Sequence, residues 1–139
     1  MSGRAFFDTT ILIYSISSGE PRAAVAEKLL AEGGWISVQV LNEFVAAARR
    51  KLSMSWEETG EALLAIRALC ELPTTLSVKT HEAALKIAAG YGYSIHDALI
   101  LSAALEADCD TLYTEDMQND QVIDLPRGSL KIRNPFLIA

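Results

Sequence analysis

Only two cysteines occur in the 139 residues, Cys70 and Cys109, and neither has a second cysteine or a histidine at a metal-ligand spacing. That scarcity argues against a disulfide framework and a zinc site, and predicts two reduced, buried thiols. Long apolar runs are missing too: none approaches the roughly 20 residues that span a bilayer. The opening stretch places Asp8 where a secretory leader needs its apolar segment, so the expected setting is the cytoplasm, with no membrane. No repeat, low-complexity tract or linker appears, and the length suits one domain covering residues 1–139. With 50% hydrophobic and 22% charged residues, the chain should be ordered and globular.

Positive charge is absent where negative charge is dense. Net charge is −6, and between Lys86 and Arg127 there is no lysine or arginine. Asp97, Glu106, Asp108, Asp110, Glu115, Asp116, Asp120 and Asp124 all fall in that interval. Glu106, Asp108 and Asp124 read as solvated loop and helix-end acids. An acidic balance argues against non-specific adhesion to nucleic acid but leaves a local cleft open.

Arg4–Phe7 reads as a buried strand delivering Asp8 at its carboxyl end. The run "ILIYSI" after it suits a strand or a helix equally. "EPRAAVAEKLLAEGG" has proline near its start and Gly33 past its end, as a helix should. Trp35 and Ile36 form a short strand before Ser37, the N-cap of a helix whose core stripe is expected at Val38, Leu41, Val45, Ala48 and Leu52. Glu43 lies nearly opposite Leu41, and Arg50, seven residues on, shares its face. Ser55 and Glu58 make a capping box for a helix to about Cys70, before Pro73. Leu76–Val78 is a weak strand, Thr80 the expected cap of a helix closed by Gly90 or Gly92, and Ser94 the cap of the helix carrying Asp97. Thr111–Tyr113 and Leu130–Ile132 are the last strands. Such alternation predicts an α/β fold with a parallel sheet covered on both faces.

In such sheets ligands sit beyond the carboxyl ends of the strands. Asp8, Glu43, Asp97 and Asp116 could all reach that rim. Each also has an ordinary explanation: Asp97 is three residues after Ser94 and favours the helix dipole, Glu43 could be solvated, Asp8 could cap, and Asp116 could sit in a turn. Gathered, they would repel by about 4 kcal/mol per pair at ~4 Å and an effective dielectric of 20, and so must take up protons or a cation. Oxygen-only donors suit Mg²⁺ or Mn²⁺ rather than zinc.

The segments "FFDTTILIYS", "ISVQVLNEF", "SIHDALILSAAL" and "LYTEDM" resemble, in order and spacing, the four acidic motifs of PIN domains, in particular the VapC-type ribonuclease toxins of toxin–antitoxin pairs. The resemblance runs from Asp8 to Asp116. It implies a three-layer PIN-like fold and a Mg²⁺- or Mn²⁺-dependent endoribonuclease, the toxin of a type II pair, hydrolysing RNA phosphodiester bonds with metal-activated water. It further implies that Asp8, Glu43, Asp97 and Asp116 are the catalytic, metal-binding acids, with Glu115 or Asp120 close enough to replace the last. Thr114 matches a hydroxyl that orients water or phosphate, Thr10 stands where relatives have asparagine or serine, and His96 where close ones have an aromatic. Arg50, with Arg49 and Lys51, could meet the RNA backbone. The implied partners are the RNA substrate, a cognate antitoxin received on exposed apolar surface of the helix from Trp56 to Cys70, and a second copy in a homodimer.

Other readings fit less well. A PIN-like domain binding RNA or protein without cleavage would not need four intact acids, and a housekeeping PIN nuclease would differ in its gene neighbourhood. "FFDTT" is similar to the nucleophile motif of haloacid-dehalogenase-like phosphatases, but Thr10 replaces their second aspartate. A receiver domain lacks its acidic pair here, and neither His81 nor His96 has a nucleophile elbow to serve.

Overall fold

The structure is a computed structural model and describes residues 3–137; Met1 and Ser2, at the head of the N-terminal stretch, lie outside the described residues. In chain order the elements are β1 (Ala5–Phe7), α1 (Thr9–Ser15), α2 (Ala23–Glu32), α3 (Val38–Lys51) and α4 (Trp56–Leu69). Then come α5 (Val78–Tyr91), α6 (Ile95–Glu106), β2 (Thr111–Tyr113), β3 (Val122–Leu125) and β4 (Gly128–Arg133). The sheet order is β1-β2-β4-β3, with β1–β2 and β2–β4 parallel and β3 antiparallel to β4. The fold is therefore α/β, a mostly parallel sheet flanked by helices, as the alternation of elements predicts.

Phe6, Leu112 and Ile132 stand side by side across three strands and are wholly buried, and the Leu130–Ile123 pair continues their face. Helix α6 packs against β4, α3 and α5, and every residue from Ala98 to Leu105 is buried. A helix apolar on all sides belongs inside the core, and this one occupies its centre. The opposite face of β4 carries Ser129, Lys131 and Arg133, all exposed, so cover on both faces stops short of that strand. The reason is β3, absent from the sequence reading. It turns back through Pro126 and Arg127 to pair antiparallel, and antiparallel ribbons tolerate water on one face.

The run after Asp8 is helical because the Asp8 carboxylate accepts the Thr9 N–H at 2.7 Å and starts α1. Ser37, Ser55 and Ser94 cap α3, α4 and α6 as expected, and Gly92, left-handed at φ 79°, closes α5. Two expectations fail. Leu76–Val78 is not a strand: Ser77 caps α5, Val78 begins it, and Thr80 is its third residue, answering the Ser77 N–H. Reciprocal capping outweighs an apolar trio with no strand to pair with, and the bridge to Ser37 comes from Thr74 instead. The core stripe of α3 is rotated, with Val40, Phe44 and Ala48 fully buried and Leu52 37% exposed. The bulky ring of Phe44 sets that face. Among the described residues no helix is long and apolar enough to cross a membrane.

Beside β1, Trp35 donates its N–H to the Ala5 carbonyl at 2.9 Å and accepts that of Phe7 at 3.0 Å. The approach depends on Gly34, where an added methyl would lie 2.6 Å from the Phe7 ring and 2.8 Å from the Ala5 oxygen. Gly34→Ala should therefore destabilise the protein by about 1–3 kcal/mol. In urea unfolding this appears as a lower midpoint with unchanged slope; an unshifted midpoint would show that β1 is not held this closely.

Candidate active site

Two parallel strands that end side by side release their chains into the same space. Asp8 leaves β1 there and Thr114 leaves β2, with the Asp8 N–H donated to the Tyr113 carbonyl at 3.0 Å. An open cleft of about 1010 Å³ lies beyond, and its walls include Asp8, Glu43, Asp97 and Asp116 as well as Thr10 and Arg50. Four acids from separate parts of the chain thus share one hollow.

Asp8 is the most enclosed, at 4% exposure. One carboxylate oxygen accepts the Thr9 N–H, and the other accepts the Thr114 hydroxyl at 2.5 Å. That hydroxyl in turn accepts the Asp116 N–H at 3.1 Å. Burial pushes the Asp8 carboxyl up to about 6; the bonds from Thr114 and Thr9 oppose the rise, and Glu43 and Asp97 add to it. Asp97, half-buried in the first turn of α6, is also raised, by burial first and then by Glu43 and Asp116. Glu43 is steadied from two sides, by Gln39 Nε2 at 2.8 Å and by the Thr9 hydroxyl at 3.4 Å.

Two neighbours of Asp116 have other partners. Glu115 accepts Arg22 Nη1 at 2.6 Å and the Tyr14 hydroxyl, while its own N–H goes to the Thr10 hydroxyl at 3.2 Å. Burial and then Glu115 push the Tyr14 phenol up to about 12, so it stays a donor. Asp120 faces Arg133 at 3.5 Å and Lys131 at 3.9 Å and does not line the cleft. Asp116 is left as the acid without a cationic partner among the described residues. His96 also lines the cleft, beside Asp97.

Along α3 the wall reads Glu43, Ala46, Ala47 and Arg50, with Lys51 and Leu52 after them. At 1.5 Å per residue, the backbone positions of Glu43 and Arg50 are about 10 Å apart along the axis, with small side chains between. Gln39 was legible in principle, since it precedes Glu43 by four residues on one helical face. Nothing in the sequence pairs Arg22 and Tyr14 with Glu115. Thr114, expected at the substrate, is wholly buried and its hydroxyl is committed to Asp8 and Asp116. Among the described residues, no three acids, histidines or cysteines close up as a ready-made metal cage.

Residues 5–123 match the family model of the PIN domain. Among solved structures, the chain is similar to the Mycobacterium tuberculosis VapC20, a toxin that cleaves the sarcin–ricin loop. There the identity is 21% and the TM-score 0.67, with 81% of this chain and 89% of that one covered. A toxin–antitoxin complex from Klebsiella pneumoniae gives 21% and 0.68, covering 96% and 99%. VapBC2 from Rickettsia felis, bound to a DNA fragment from its promoter, gives 21% and 0.64, covering 94% and 98%. At this identity the likeness is one of fold. No curated protein shows a significant match.

An acid raised to about 6 in the fold and near 3.8 when unfolded stabilises the fold fully below pH 3.8, and that contribution is lost as pH rises through 6. In metal-free protein, Asp8→Asn should keep the cap of α1 and remove this loss. Its stability relative to wild type should improve between pH 4.5 and pH 7.5, by on the order of 1–3 kcal/mol. Thermal melts in EDTA at both pH values measure it; a constant difference would mean that Asp8 titrates normally.

Proposed function

The chain belongs to the PIN domain family, and from that premise we propose that residues 1–139 form one domain acting as a Mg²⁺- or Mn²⁺-dependent endoribonuclease, the toxin of a type II toxin–antitoxin pair. The observation that carries this reading is the meeting of Asp8, Glu43, Asp97 and Asp116 in one open cleft. The pattern of raised carboxyls supports it, since such groups, denied a proton near neutral pH, favour a bound cation.

The donor set fits the ion. Mg²⁺ is usually held by one or two carboxylates and keeps several waters, so a preformed cage of three or more protein ligands is not required. Asp8 and Asp97 would be the principal ligands, with Glu43 and Asp116 around them. When bound, the cation would supply a polarised water as nucleophile and screen the scissile phosphate.

The side chains divide the remaining work. Thr114 positions, holding the Asp8 carboxylate and the Asp116 backbone together. Gln39 and Thr9 orient Glu43. Arg22 is shared between Glu115 and Glu20, which also lines the cleft, and Tyr14 donates to Glu115, so the charge of this pair of acids is partly offset. Arg50 and Lys51 offer cations to the RNA backbone at the far end of the wall, and Thr10 lies between β2 and the cleft. An acidic protein can then accept a polyanion, because attraction is local.

For the antitoxin, α4 and the turn after it expose Leu64, Leu69 and Leu72, apolar side chains that a protein partner would cover. The solved Klebsiella pneumoniae complex supports such a partner for this chain. A homodimer and a cytoplasmic site of action complete the proposal.

Asp97→Asn keeps the side-chain shape and removes the charge. It should abolish Mg²⁺-dependent cleavage of RNA while leaving the melting temperature within a few degrees of wild type. Wild-type cleavage should stop in EDTA, and millimolar Mg²⁺ should raise the wild-type melting temperature by binding only the folded form. Equal cleavage by the two proteins, or cleavage indifferent to EDTA, would overturn the assignment.

A further inference from the structure

We infer that Trp56, backed by Arg49, is a stacking platform for an unpaired base of the RNA, set beyond the cationic end of the cleft; this rests on the ribonuclease reading above. Trp56 is the first residue of α4, and it is 68% exposed although it is the largest side-chain type the chain contains. The guanidinium of Arg49 lies over its ring, 4.3 Å from the centroid. Arg49 also donates to the Met54 carbonyl at 2.8 Å, which ties the ring to the end of α3. One ring face is thus covered by a cation, and the high exposure leaves the remaining ring surface to solvent.

Position decides the occupant. Arg50, Lys51 and Leu52 line the cleft, and Arg49 and Trp56 flank them on either side in the chain. Among the described residues none of Arg49, Arg50 and Lys51 is in an ion pair. A strand of RNA whose phosphate sits among the acids would run along Ala46 and Ala47, meet these cations, and bring its next bases toward Trp56. Cations following a backbone, with an open aromatic face beside them, are how proteins hold single strands, since every base has a face to stack. The Arg49 charge strengthens the platform by cation–π attraction and draws the neighbouring phosphate. An apolar protein partner would gain from the ring but not from three unpaired cations. The exposed leucines of α4 lie farther along that helix, with Leu64 about 12 Å up the axis from Trp56.

The full chain carrying Asp97→Asn binds without cutting, and is titrated with a fluorescently labelled, unstructured RNA oligonucleotide of mixed sequence. Adding Trp56→Ala should weaken binding about 5- to 150-fold, Trp56→Phe should retain most of the affinity, and Trp56→Leu should resemble alanine. RNA should quench tryptophan emission, and the quenching should vanish in Trp56→Phe, where only Trp35 remains. Blunt duplex RNA, whose bases are already stacked, should not distinguish the variants. Unchanged affinity in Trp56→Ala, or full affinity in Trp56→Leu, would overturn the platform while leaving the nuclease reading intact, and would give this corner to a protein partner. Failure of the parent Asp97→Asn protein to bind RNA at all, with no cleavage by wild type, would instead remove the nuclease reading beneath it.

Discussion

The Thr114 hydroxyl joins the Asp8 carboxylate across the ends of two adjacent parallel strands, and its oxygen receives the Asp116 amide. This one group fixes two of the four acids relative to each other. It can do so because β1 and β2 are paired in register, Phe7 with Tyr113, so their next residues start level. The bond also makes burial of Asp8 tolerable. A carboxylate at 4% exposure needs its oxygens satisfied, and Thr9 and Thr114 each satisfy one. They do not fully offset the desolvation, which is why the Asp8 carboxyl remains raised to about 6. The metal-free cleft is thus under electrostatic tension near neutral pH, which the divalent cation proposed above would relieve.

Charge is sorted over short distances. Within the cleft, Glu115 is paired with Arg22 whereas Asp116, its chain neighbour, has no cation among the described residues. Without Arg22 the hollow would hold two further bare acids, Glu20 and Glu115, and repulsion of a phosphate would grow. The Arg22 guanidinium also rests over the Tyr14 ring, 4.7 Å from the centroid, and Tyr14 meets Phe136 edge-on, so the clamp is anchored in packing as well as charge. Arg49, Arg50 and Lys51 stand at the other end of α3, where they complement the helix dipole without a substrate and remain available to one. An overall charge of −6 is compatible with binding RNA because the field at a cleft is set by groups within a Debye length of about 8–10 Å.

The helices and the rim were legible from spacing, and the resemblance to PIN domains singled out the four acids. Serines before Val38, Trp56 and Ile95 announced three helices, and Asp8 after "RAFF" announced the end of a buried strand. The cleft followed because helices and parallel strands deliver their ends to one rim. What failed had local causes. β3 was hidden because Val122–Leu125 has only one buried residue, Ile123, and gains its strand character from pairing with β4. The α3 stripe was misplaced because half-buried valines carry the same apolar label as the fully buried Phe44. The resemblance singles out Thr114, but a sequence does not give its neighbour across the sheet, Asp8, to which its hydroxyl donates. Long-range ion pairs such as Arg22 with Glu115 leave no periodicity at all.

The position of Asp97 follows from the composition of its helix. With Ala98 through Leu105 buried, α6 can present a charge only at an end, and its first turn is the end that opens on the cleft. A carboxylate there gains the helix dipole, worth about 0.3–1 kcal/mol. If that gain prevailed, the Asp97 carboxyl would lie below its ordinary value; burial and the nearby Glu43 and Asp116 carry it above. The hollow holds it near Glu43 and Asp116, where the cation proposed above would offset the repulsion, and the same buried helix that prevents Asp97 from turning away keeps it facing the cleft.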